Sequence, residues 1–369
     1  MRIAFLGQKG IPATWGGVET HVEAVALRLA GRGHEVTAYV RRWWDAPGAE
    51  HGGVRLRRVP GIRTTHLDAA SHSALAALDA ALHRYDIVHV HSIGPALFSV
   101  LPRLAGRRVV TTIHGLDYRS DKWGGVARLA LRMGEQAALR VPHRTVVISR
   151  RFEEHYRTRG HRVEYVPNGV DAGAPAPPDW IRRALGLVGG DYWLFLGRWA
   201  PNKGVVELVR GYRELTAPRP RLVVAGADAD GGAMARELEA ACEGERDVIR
   251  PGVVTGRAKA ELLANALGVV SAASLEGLPI ALLEAMSHGR PCVVSDIPAH
   301  QEAIGDSGAA LVVPMRTPDD VATALTRFLA LSVADRRAMG EAGRARVAAE
   351  YTWDSVVDRL ETIYAEVLA

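Results

Sequence analysis

The chain has 369 residues, of which 48% are apolar and 24% are charged, a balance typical of globular proteins. This length predicts two domains, no stretch approaches the ~18–20 apolar residues of a membrane-spanning helix, and only two cysteines are present, which excludes a disulfide framework. The apolar run at the N-terminus is too short for a signal peptide, so we expect a cytoplasmic protein.

The formal net charge of +5 is unevenly distributed. Residues 1–170 contain 25 Lys+Arg and 14 Asp+Glu, a net charge of +11, whereas residues 171–369 contain 21 and 27, a net charge of −6. The basic first half favours an anionic partner, either phosphate groups or a membrane surface. The basic residues are dispersed and no recognition motif accompanies them, which argues against nucleic acid.

The first predicted elements are a strand, a glycine-rich loop and a helix. A short apolar run at 2–6 indicates a buried strand, periodic apolar residues at 18–31 indicate a helix, and 34–40 indicates a second strand. Ligands of open α/β sheets bind beyond the carboxyl ends of strands, and the pair Gly16-Gly17 would let the backbone approach one closely. The glycine spacing does not match the dinucleotide fingerprint, and a flexible turn is the alternative.

Strand and helix patterns then alternate along the chain. Further strands are predicted at 54–59, 87–91, 109–113 and 144–148, and helices at 71–84 and 125–140. The segment 166–178 is rich in proline and turn residues, so we place a domain boundary after residue 170. Later strands are predicted at 193–196, 222–225, 269–271 and 292–295, with helices between and after them. The pattern predicts two α/β domains, 1–170 and 171–350, each with a mostly parallel sheet.

Two glutamates flank the start of an apolar helix in the second half. Glu276 lies in the turn-forming stretch Glu-Gly-Leu-Pro, and Glu284 lies in the helix that follows. Pro279 suits an early helical position. The free amides at such a helix start favour an anion, and they belong to Gly277, Leu278 and Ile280. Both carboxylates can therefore address one ligand, and a helix with a favourable acidic residue near its start is the alternative.

A basic pair follows the strand predicted at 193–196. Arg198 and Lys203 lie between that strand and the next helix. The planar fork of Arg198, the point charge of Lys203 and the helix dipole together suit a diphosphate. The Gly-Lys-Ser/Thr sequence of a Walker A loop is absent, and solvated side chains at a turn are the alternative.

Three motifs, in this order, resemble those of the family-4 glycosyltransferases: Gly16-Gly17, Arg198-x4-Lys203 and Glu276-x7-Glu284. The resemblance covers essentially the whole chain and implies the GT-B architecture, with two Rossmann-like domains facing each other across a cleft. The stretches 7–20 and 114–118 resemble a subgroup that makes bacterial polysaccharides and includes rhamnosyltransferases. The family resemblance implies a hexosyltransferase-type enzyme that moves a sugar from a nucleotide-diphosphate donor to a hydroxyl acceptor. The acceptor would be a growing glycan, a lipid-linked glycan or a small glycoside, and the anomeric configuration would be retained.

The resemblance also implies a role for each residue. Arg198 and Lys203 would neutralise the diphosphate, and Glu284 would hold the ribose hydroxyls. Glu276, with the amides of 277–280, would hold the sugar hydroxyls and the distal phosphate. The remaining assignments are Gly16 and Gly17 for close approach to the phosphate, His114 for the reacting sugar, Asp117 as acceptor contact or base, and backbone near Val253 for the nucleobase.

No metal ion or other cofactor is expected. Asp228-Ala229-Asp230 is similar to the Asp-x-Asp metal motif of another glycosyltransferase architecture, but helix capping explains it better. His89 and His91 share one face of a strand, with no third ligand evident nearby. A buried His89 and a cleft-facing His91 are favoured over metal binding.

Two further predictions concern helices of the first domain. The helix at 125–140 carries Arg128, Arg132 and Arg140 beside apolar residues. It would suit an anionic bilayer at the inner face of the membrane, where lipid-linked acceptors reside, and an ordinary amphipathic core helix is the alternative. The terminal helix at 351–369 is expected to pack back on this domain.

Two other functions stay open at the level of sequence. A nucleotide-sugar epimerase or hydrolase of the same fold would act without an acceptor. A non-enzymatic two-lobed ligand-binding protein has a similar domain arrangement, but such receptors are exported and carry a signal peptide. The donor sugar, nucleobase, acceptor and linkage are all left open.

Overall fold

The computed structural model describes residues 1–14, 16–45, 48–62, 64, 67–116, 118, 123–228 and 232–369. These residues form two compact units. The first unit comprises Met1–Asn168 together with Trp353–Ala369, and the second comprises Gly169–Thr352. Both points at which the chain passes between units lie two residues from the divisions expected from the sequence.

A mostly parallel sheet forms the centre of the first unit. Its strands among the described residues are β1 (Arg2–Leu6), β2 (Glu35–Arg41), β3 (Glu50–His51), β4 (Val54–Val59), β5 (Ile87–His91), β6 (Arg108–Ile113), β7 (Arg144–Val147) and β8 (Glu164–Tyr165). Their order is β3-β4-β2-β1-β5-β6-β7-β8. β3 pairs antiparallel at the edge, a strand that the sequence pattern did not predict. The central strands β1 and β5 are buried on both faces, which explains their continuous rather than alternating burial pattern.

Helices cover this sheet on both faces. Those described before residue 168 are α1 (Gly17–Gly31), α2 (Leu67–Leu82), α3 (Ile93–Ala96), α4 (Val100–Leu104), α5 (Gly125–Arg140) and α6 (Arg150–Arg157). α2 packs against α3 and α4, and α3 packs against α5. The inner face of α2 carries small side chains, since Ala76, Ala77 and Ala80 share one buried apolar cluster with Val88 and Val90 of β5.

The second unit repeats the plan with a fully parallel sheet. Its described strands are β9 (Tyr192–Leu196), β10 (Arg221–Ala225), β11 (Val248–Gly252), β12 (Gly268–Ser271), β13 (Cys292–Ser295) and β14 (Ala310–Val313). The order is β11-β10-β9-β12-β13-β14. Trp193 of β9 is fully buried, and its ring lies 4.8 Å from that of Phe328, centroid to centroid. One large apolar cluster therefore lies between this sheet and its helices.

The described helices of the second unit are α7 (Asp179–Leu185), α8 (Val205–Arg213), α9 (Ala233–Ala241), α10 (Gly256–Asn265), α11 (Ile280–Ser287), α12 (Pro298–Ile304), α13 (Pro318–Leu329) and α14 (Val333–Glu350). α7 lies just after the proline-rich segment and was not predicted. α13 begins at a capping box, in which Thr317 and Asp320 each bond the other's backbone amide, as its local sequence favours. None of the described helices of either unit is both long and apolar enough to cross a bilayer.

The terminal helix, α15 (Trp353–Leu368), belongs to the first unit. It packs against α1 and contacts β6. Its inner face includes the fully buried Tyr364, and its outer edge is tied to the end of α1 because Arg32 donates to Asp358 (2.6 Å) and Glu361 (2.5 Å). Apolar burial and ion pairs together return the end of the chain to the unit in which it begins.

Both sheets have a point at which the strand order reverses direction. In the first unit this switch point lies between β1 and β5, and in the second between β9 and β12. The chain leaves neighbouring strands toward opposite faces there, which opens a crevice beyond their carboxyl ends, where open α/β sheets bind ligands. The residues that follow these four strands are therefore the first candidates for a site.

Candidate active site

The switch point of the second unit brings the two predicted charged motifs together. The loop 197–204 follows β9, and the loop 272–279 follows the neighbouring strand β12. Asn202 joins the loops, since its Nδ2 donates to the carbonyl of Leu275 (2.9 Å) and its own carbonyl accepts from the amide of Ser274 (2.9 Å). At Gly204, with φ of +62°, a Cβ would lie 2.2 Å from the carbonyl oxygen of Ala272, so only glycine permits this approach.

Lys203 and Glu276, separated by 73 residues in sequence, form an ion pair at this point. Their side chains are only 20% and 13% exposed, so the attraction between the two charges is stronger than in a fully exposed pair. Lys203 ends a 3-10 turn, Pro201–Lys203, and Glu276 lies four residues before the first residue of α11. An ammonium and a carboxylate held side by side can bind phosphate and sugar hydroxyls on one ligand.

Beneath this pair lies a histidine that the sequence analysis missed. His300 is fully buried, and its Nδ1 donates to the carbonyl of Ser295 (2.9 Å), while Nε2 lies 3.3 Å from Oγ of Ser271. Burial lowers the pKa of His300, and the hydrogen bond to the Ser295 backbone opposes this effect in part. A neutral imidazole therefore joins the ends of β12 and β13 close to the ion pair, and no local motif marks it.

Glu284 has a partner of its own. Its Oε1 lies 2.5 Å from Nζ of Lys259 on α10, and the side chains are 18% and 29% exposed. Lys259 was not predicted as a site residue. Only four lysines occur among the 46 basic residues of the chain, and that scarcity is the one signal that points to it.

The start of α11 differs slightly from the expectation. Pro279 is the N-cap residue and the helix begins at Ile280, so the proline lies just outside the helix rather than at an early helical position. The first amides of α11 still have no partner within the helix, as at any helix N-terminus. Leu278 is buried, with 4% of its surface exposed, and Gly277 has only backbone atoms to offer a ligand.

Two other predicted residues follow two strands of the same sheet that are separated by β10. Arg198 comes directly after β9, is exposed, and makes no ion pair or side-chain hydrogen bond within the described part of the chain. Val253 comes directly after β11 and is 45% exposed. The loop after β10 lies between them, because the amide of Gly226 donates to the carbonyl of Gly252 (2.8 Å). The predicted residues of this unit thus share the carboxyl edge of one sheet.

The glycine pair of the first unit lies at the start of α1. Gly16 has a φ of +109°, and a Cβ there would lie 2.2 Å from Oε2 of Glu19. Glu19 in turn accepts from the amide of Lys9 (3.1 Å), so the first turn of the helix closes back on the loop after β1. Gly17 is the first residue of α1. Both glycines therefore lie beside the first switch point, where the chain approaches itself closely.

His114 follows β6 and belongs to a cluster of imidazoles. Its Nε2 lies 2.9 Å from Nδ1 of His91, the last residue of β5. The His114 ring also meets the ring of His21 on α1 edge to face, with centroids 4.8 Å apart. Burial is the largest cause that lowers the pKa of all three, to about 4 for His21 and well below the usual value for the other two. The cluster is therefore neutral near physiological pH.

The structure corrects the expectation for His91. Both His89 and His91 are fully buried, so His91 does not present an exposed face. His21 of α1 and His114, the residue after β6, cover the His91 ring. The spacing of residues along β5 does not reveal these contacts. Asp117 lies outside the described residues, as does Asp230. Asp228 caps α9, accepting from the amide of Ala235 (3.1 Å), as expected for helix-cap chemistry.

Solved structures of other proteins share this fold. Sucrose-phosphate synthase from Thermosynechococcus elongatus matches with a TM-score of 0.82 and 22% identity over 99% of this chain and 98% of the other. The Anabaena protein HepE, in complex with UDP and glucose, matches with a TM-score of 0.82 and 17% identity over 99% of each chain. Two parallel-sheet α/β units of this kind define the GT-B class of glycosyltransferases.

Sequence comparisons narrow the class to a family. Residues 15–173 match the family model described as Glycosyltransferase Family 4, and residues 181–346 match that of Glycosyl transferases group 1. A D-inositol 3-phosphate glycosyltransferase of Thermobispora bispora is 29% identical over 96% of this chain and 90% of its own length. The chain belongs to the family-4 glycosyltransferases, and its activity is that of a glycosyltransferase.

Proposed function

We propose that the protein transfers a hexosyl group from a nucleotide-diphosphate sugar to a hydroxyl acceptor, with retention of configuration and without a metal ion. The acceptor is a growing glycan, a lipid-linked glycan or a small glycoside, in polysaccharide biosynthesis. The observation that carries the proposal is the Lys203–Glu276 pair at the switch point of the second unit, beside the exposed Arg198 and the start of α11.

The chemistry of the reaction explains this combination of groups. Breaking a sugar–phosphate bond leaves a diphosphate anion and an oxocarbenium-like sugar. Cations and helix amides aimed at the leaving phosphate stabilise charge that develops in the transition state. Arg198 and Lys203 supply this charge, so the diphosphate does not need a metal ion. When the donor binds, Lys203 exchanges part of its contact with Glu276 for phosphate, and Glu276 accepts from sugar hydroxyls.

The nucleoside of the donor is assigned to residues further along the carboxyl edge of the second unit's sheet. Glu284 accepts from the ribose hydroxyls, and Lys259 pairs with that carboxylate and orients it. Backbone near Val253 contacts the base. The Anabaena neighbour was solved with UDP-glucose, which supports a nucleotide-sugar donor for this chain.

The sugar-facing groups come from the first unit. His114 contacts the reacting sugar, and Gly16 and Gly17 allow the first unit to approach the phosphate. Asp117 is assigned to the acceptor as contact or base. Attack from the face of the departing phosphate, with that phosphate taking the acceptor proton, gives retention and requires no covalent nucleophile.

The test begins with donor binding. A thermal-shift panel of nucleotide diphosphates and their sugars should stabilise the protein with one nucleotide, and Arg198→Ala and Glu284→Ala should each remove that shift. Arg182→Ala and Glu243→Ala, at exposed positions of the same unit, serve as matched controls that keep it. Stabilisation by none of the panel in a folded sample contradicts the proposal.

A second arm of the test separates transfer from the alternatives. Donor turnover is followed with and without a mixture of glycan acceptors, and the anomeric configuration of the product is read by NMR. Acceptor-dependent release of the nucleotide with a retained anomer supports the proposal. Donor consumption that is unaffected by any acceptor favours an epimerase or hydrolase, and binding without turnover favours a ligand-binding protein.

We also propose that the enzyme acts in the cytoplasm and docks its first unit on the anionic inner face of the membrane. The support is the outer face of the layer formed by α2, α4 and α5. Nine large apolar side chains of these helices are more than a third exposed: Leu67, Leu75, Leu78, Leu82, Val100, Leu104, Val126, Leu129 and Met133. Such a surface marks an interaction site.

The charges of this face select the partner. Arg103, Arg132 and Arg140 are exposed on it. The acidic residues of the three helices add little negative charge to this surface, because Asp68 and Asp79 pair with arginines and Glu135 is buried. A basic apolar face repels a second copy of itself and is attracted to anionic lipid, at about 1 kcal/mol for each basic residue near the surface.

Vesicle sedimentation tests the docking face. The protein should bind vesicles containing phosphatidylglycerol but not those of phosphatidylcholine alone, and binding should weaken with salt. The double variant Arg132→Glu/Arg140→Glu should reduce binding, whereas Arg316→Glu, at an exposed position of the second unit, should not. No binding to anionic vesicles, or equal binding by the double variant, overturns this docking face.

A further inference from the structure

Three imidazoles from three different elements converge in the first unit. His21 comes from α1, His91 from the end of β5 and His114 from the residue after β6, and each offers a ring nitrogen within 4.8 Å of the other two. His21 and His91 are 1% and 0% exposed. This cluster, His21, His91 and His114, is the histidine cluster discussed below.

Two nitrogens of the histidine cluster lack a hydrogen-bond partner. Nε2 of His21 and Nε2 of His91 are buried and unpaired within the described residues. Buried polar atoms are rarely left in this state. A site that contains several of them in one place therefore points to a ligand that accepts their lone pairs.

The partners of the other nitrogens show which atoms carry protons. Nδ1 of His21 lies 3.0 Å from Oδ1 of Asn168, an oxygen that only accepts. The proton of His21 is therefore on Nδ1, and its Nε2 presents a free lone pair to the cluster. His89 does not join, because its two nitrogens contact the hydroxyls of Tyr364 (2.6 Å) and Thr112 (2.7 Å).

We propose that the histidine cluster binds a first-row divalent transition metal ion, with Zn²⁺ as the typical case. Neutral imidazole is the form that ligates such ions, and three histidines with one open position are an established zinc ligand set. Zn–N bonds of about 2.0–2.1 Å separate two tetrahedral ligand atoms by about 3.3 Å, so ring nitrogens that lie within 4.8 Å of one another need only a modest approach to bind one ion. Asn168 supplies the outer hydrogen bond that fixes a ligating ring.

The metal would inhibit the enzyme rather than serve the reaction. His114 is the residue that the proposed function assigns to the reacting sugar, and a metal ion would hold its ring in the cluster. This consequence rests on the proposed function, whereas metal binding by the cluster does not. Transfer would be blocked when the ion binds and restored when a chelator removes it.

Metal titration of the full-length protein tests the site directly. Calorimetry with Zn²⁺ should show one saturable site, and Co²⁺ should give the visible absorption of a low-coordinate nitrogen site. His114→Ala, at a half-buried position, and His21→Ala should abolish both signals. His83→Ala, at an exposed position directly after α2, is the matched control and should leave them unchanged.

Asn168→Ala provides an independent check, since loss of such an outer hydrogen bond typically weakens metal affinity about 10–100-fold. Circular dichroism establishes that each variant is folded. Zn²⁺ affinity that is the same in His21→Ala, His114→Ala and the unaltered protein overturns the proposal, as does the absence of saturable binding. If the metal-free protein transfers no sugar, the proposed function fails while the calorimetric result stands, and binding without chelator-reversible inhibition overturns the inhibitory role alone.

Discussion

The two switch points occupy equivalent places in their sheets, yet they carry different chemistry. In the second unit the loops beyond β9 and β12 bring charged groups together, as in the Lys203–Glu276 pair. In the first unit the equivalent strands β1 and β5, with β6, bring together imidazoles that burial keeps neutral. The same backbone plan therefore supports an ionic site in one unit and a neutral one in the other.

The difference follows from burial. The side chains of Lys203 and Glu276 keep some access to solvent, so they can exchange partners with an ionic ligand. His21 and His91 are enclosed, where a charge would be expensive. The ionic site suits a diphosphate, and the neutral site offers imidazole nitrogens with lone pairs.

The largest expected effect tests this division of tasks. Lys203→Ala removes a cation from the leaving phosphate, and the transfer rate should fall by ~10²–10³-fold, with weaker binding of the nucleotide diphosphate. His114→Ala should also reduce transfer but should leave nucleotide binding unchanged, because its contact is with the sugar. Single-turnover rates and thermal shifts of both variants provide the measurement, with Arg182→Ala as the control. Equal loss of nucleotide binding in both variants would contradict the division.

The next effect concerns pH. The pKa of His21 falls from 6.5 to about 4 on folding, and His91 and His114 shift in the same direction. The unfolded chain therefore binds more protons between these values, and stability should decrease as the pH falls from about 6.5 towards 4, by about 1.4 kcal/mol per pH unit for each histidine. Above about pH 7 these groups should contribute no slope.

Hydrogen exchange measured at about pH 7 and about pH 5 can distinguish the units. Amides of β5 should lose more protection on acidification than amides of β9, because among its described residues the second unit has one buried histidine with a lowered pKa, His300. His91→Asn should reduce the dependence of the first unit's stability on pH by the contribution of one histidine. A slope that is equal in the two units would remove the contrast between them.

The smallest effect concerns the ionic site alone. In a double-mutant cycle with Lys203→Met and Glu276→Gln, the coupling free energy of unfolding should be about 1 kcal/mol, since the pair is shielded but not fully buried. Chemical denaturation of the two single variants and the double variant gives this value. Arg337 and Glu341, an exposed pair on α14, provide the reference for the same cycle. A coupling free energy near zero for Lys203 and Glu276 would show that this pair stabilises the fold no more than an exposed one.

Much of the ionic site could be found from the sequence, because its parts are local. Arg198 and Lys203 lie in one short loop after a strand, and Glu276 lies four residues before a helix. Such signals come from turn chemistry and periodicity, which depend on near neighbours. The sequence nevertheless missed Lys259 and His300, which reach the site from other elements, and placed Pro279 one position too far into the helix.

The sequence by itself determined the two α/β units, their parallel sheets and the charged loops, because hydrophobic periodicity and turn residues specify strands, helices and their ends. Only the tertiary structure decided which of those loops meet. The pairing of Lys203 with Glu276 and the meeting of His21 with His91 and His114 depend on strand order, a long-range property that places residues 73 and 70 positions apart side by side. Burial in that arrangement then lowers the pKa of the three imidazoles and keeps them neutral.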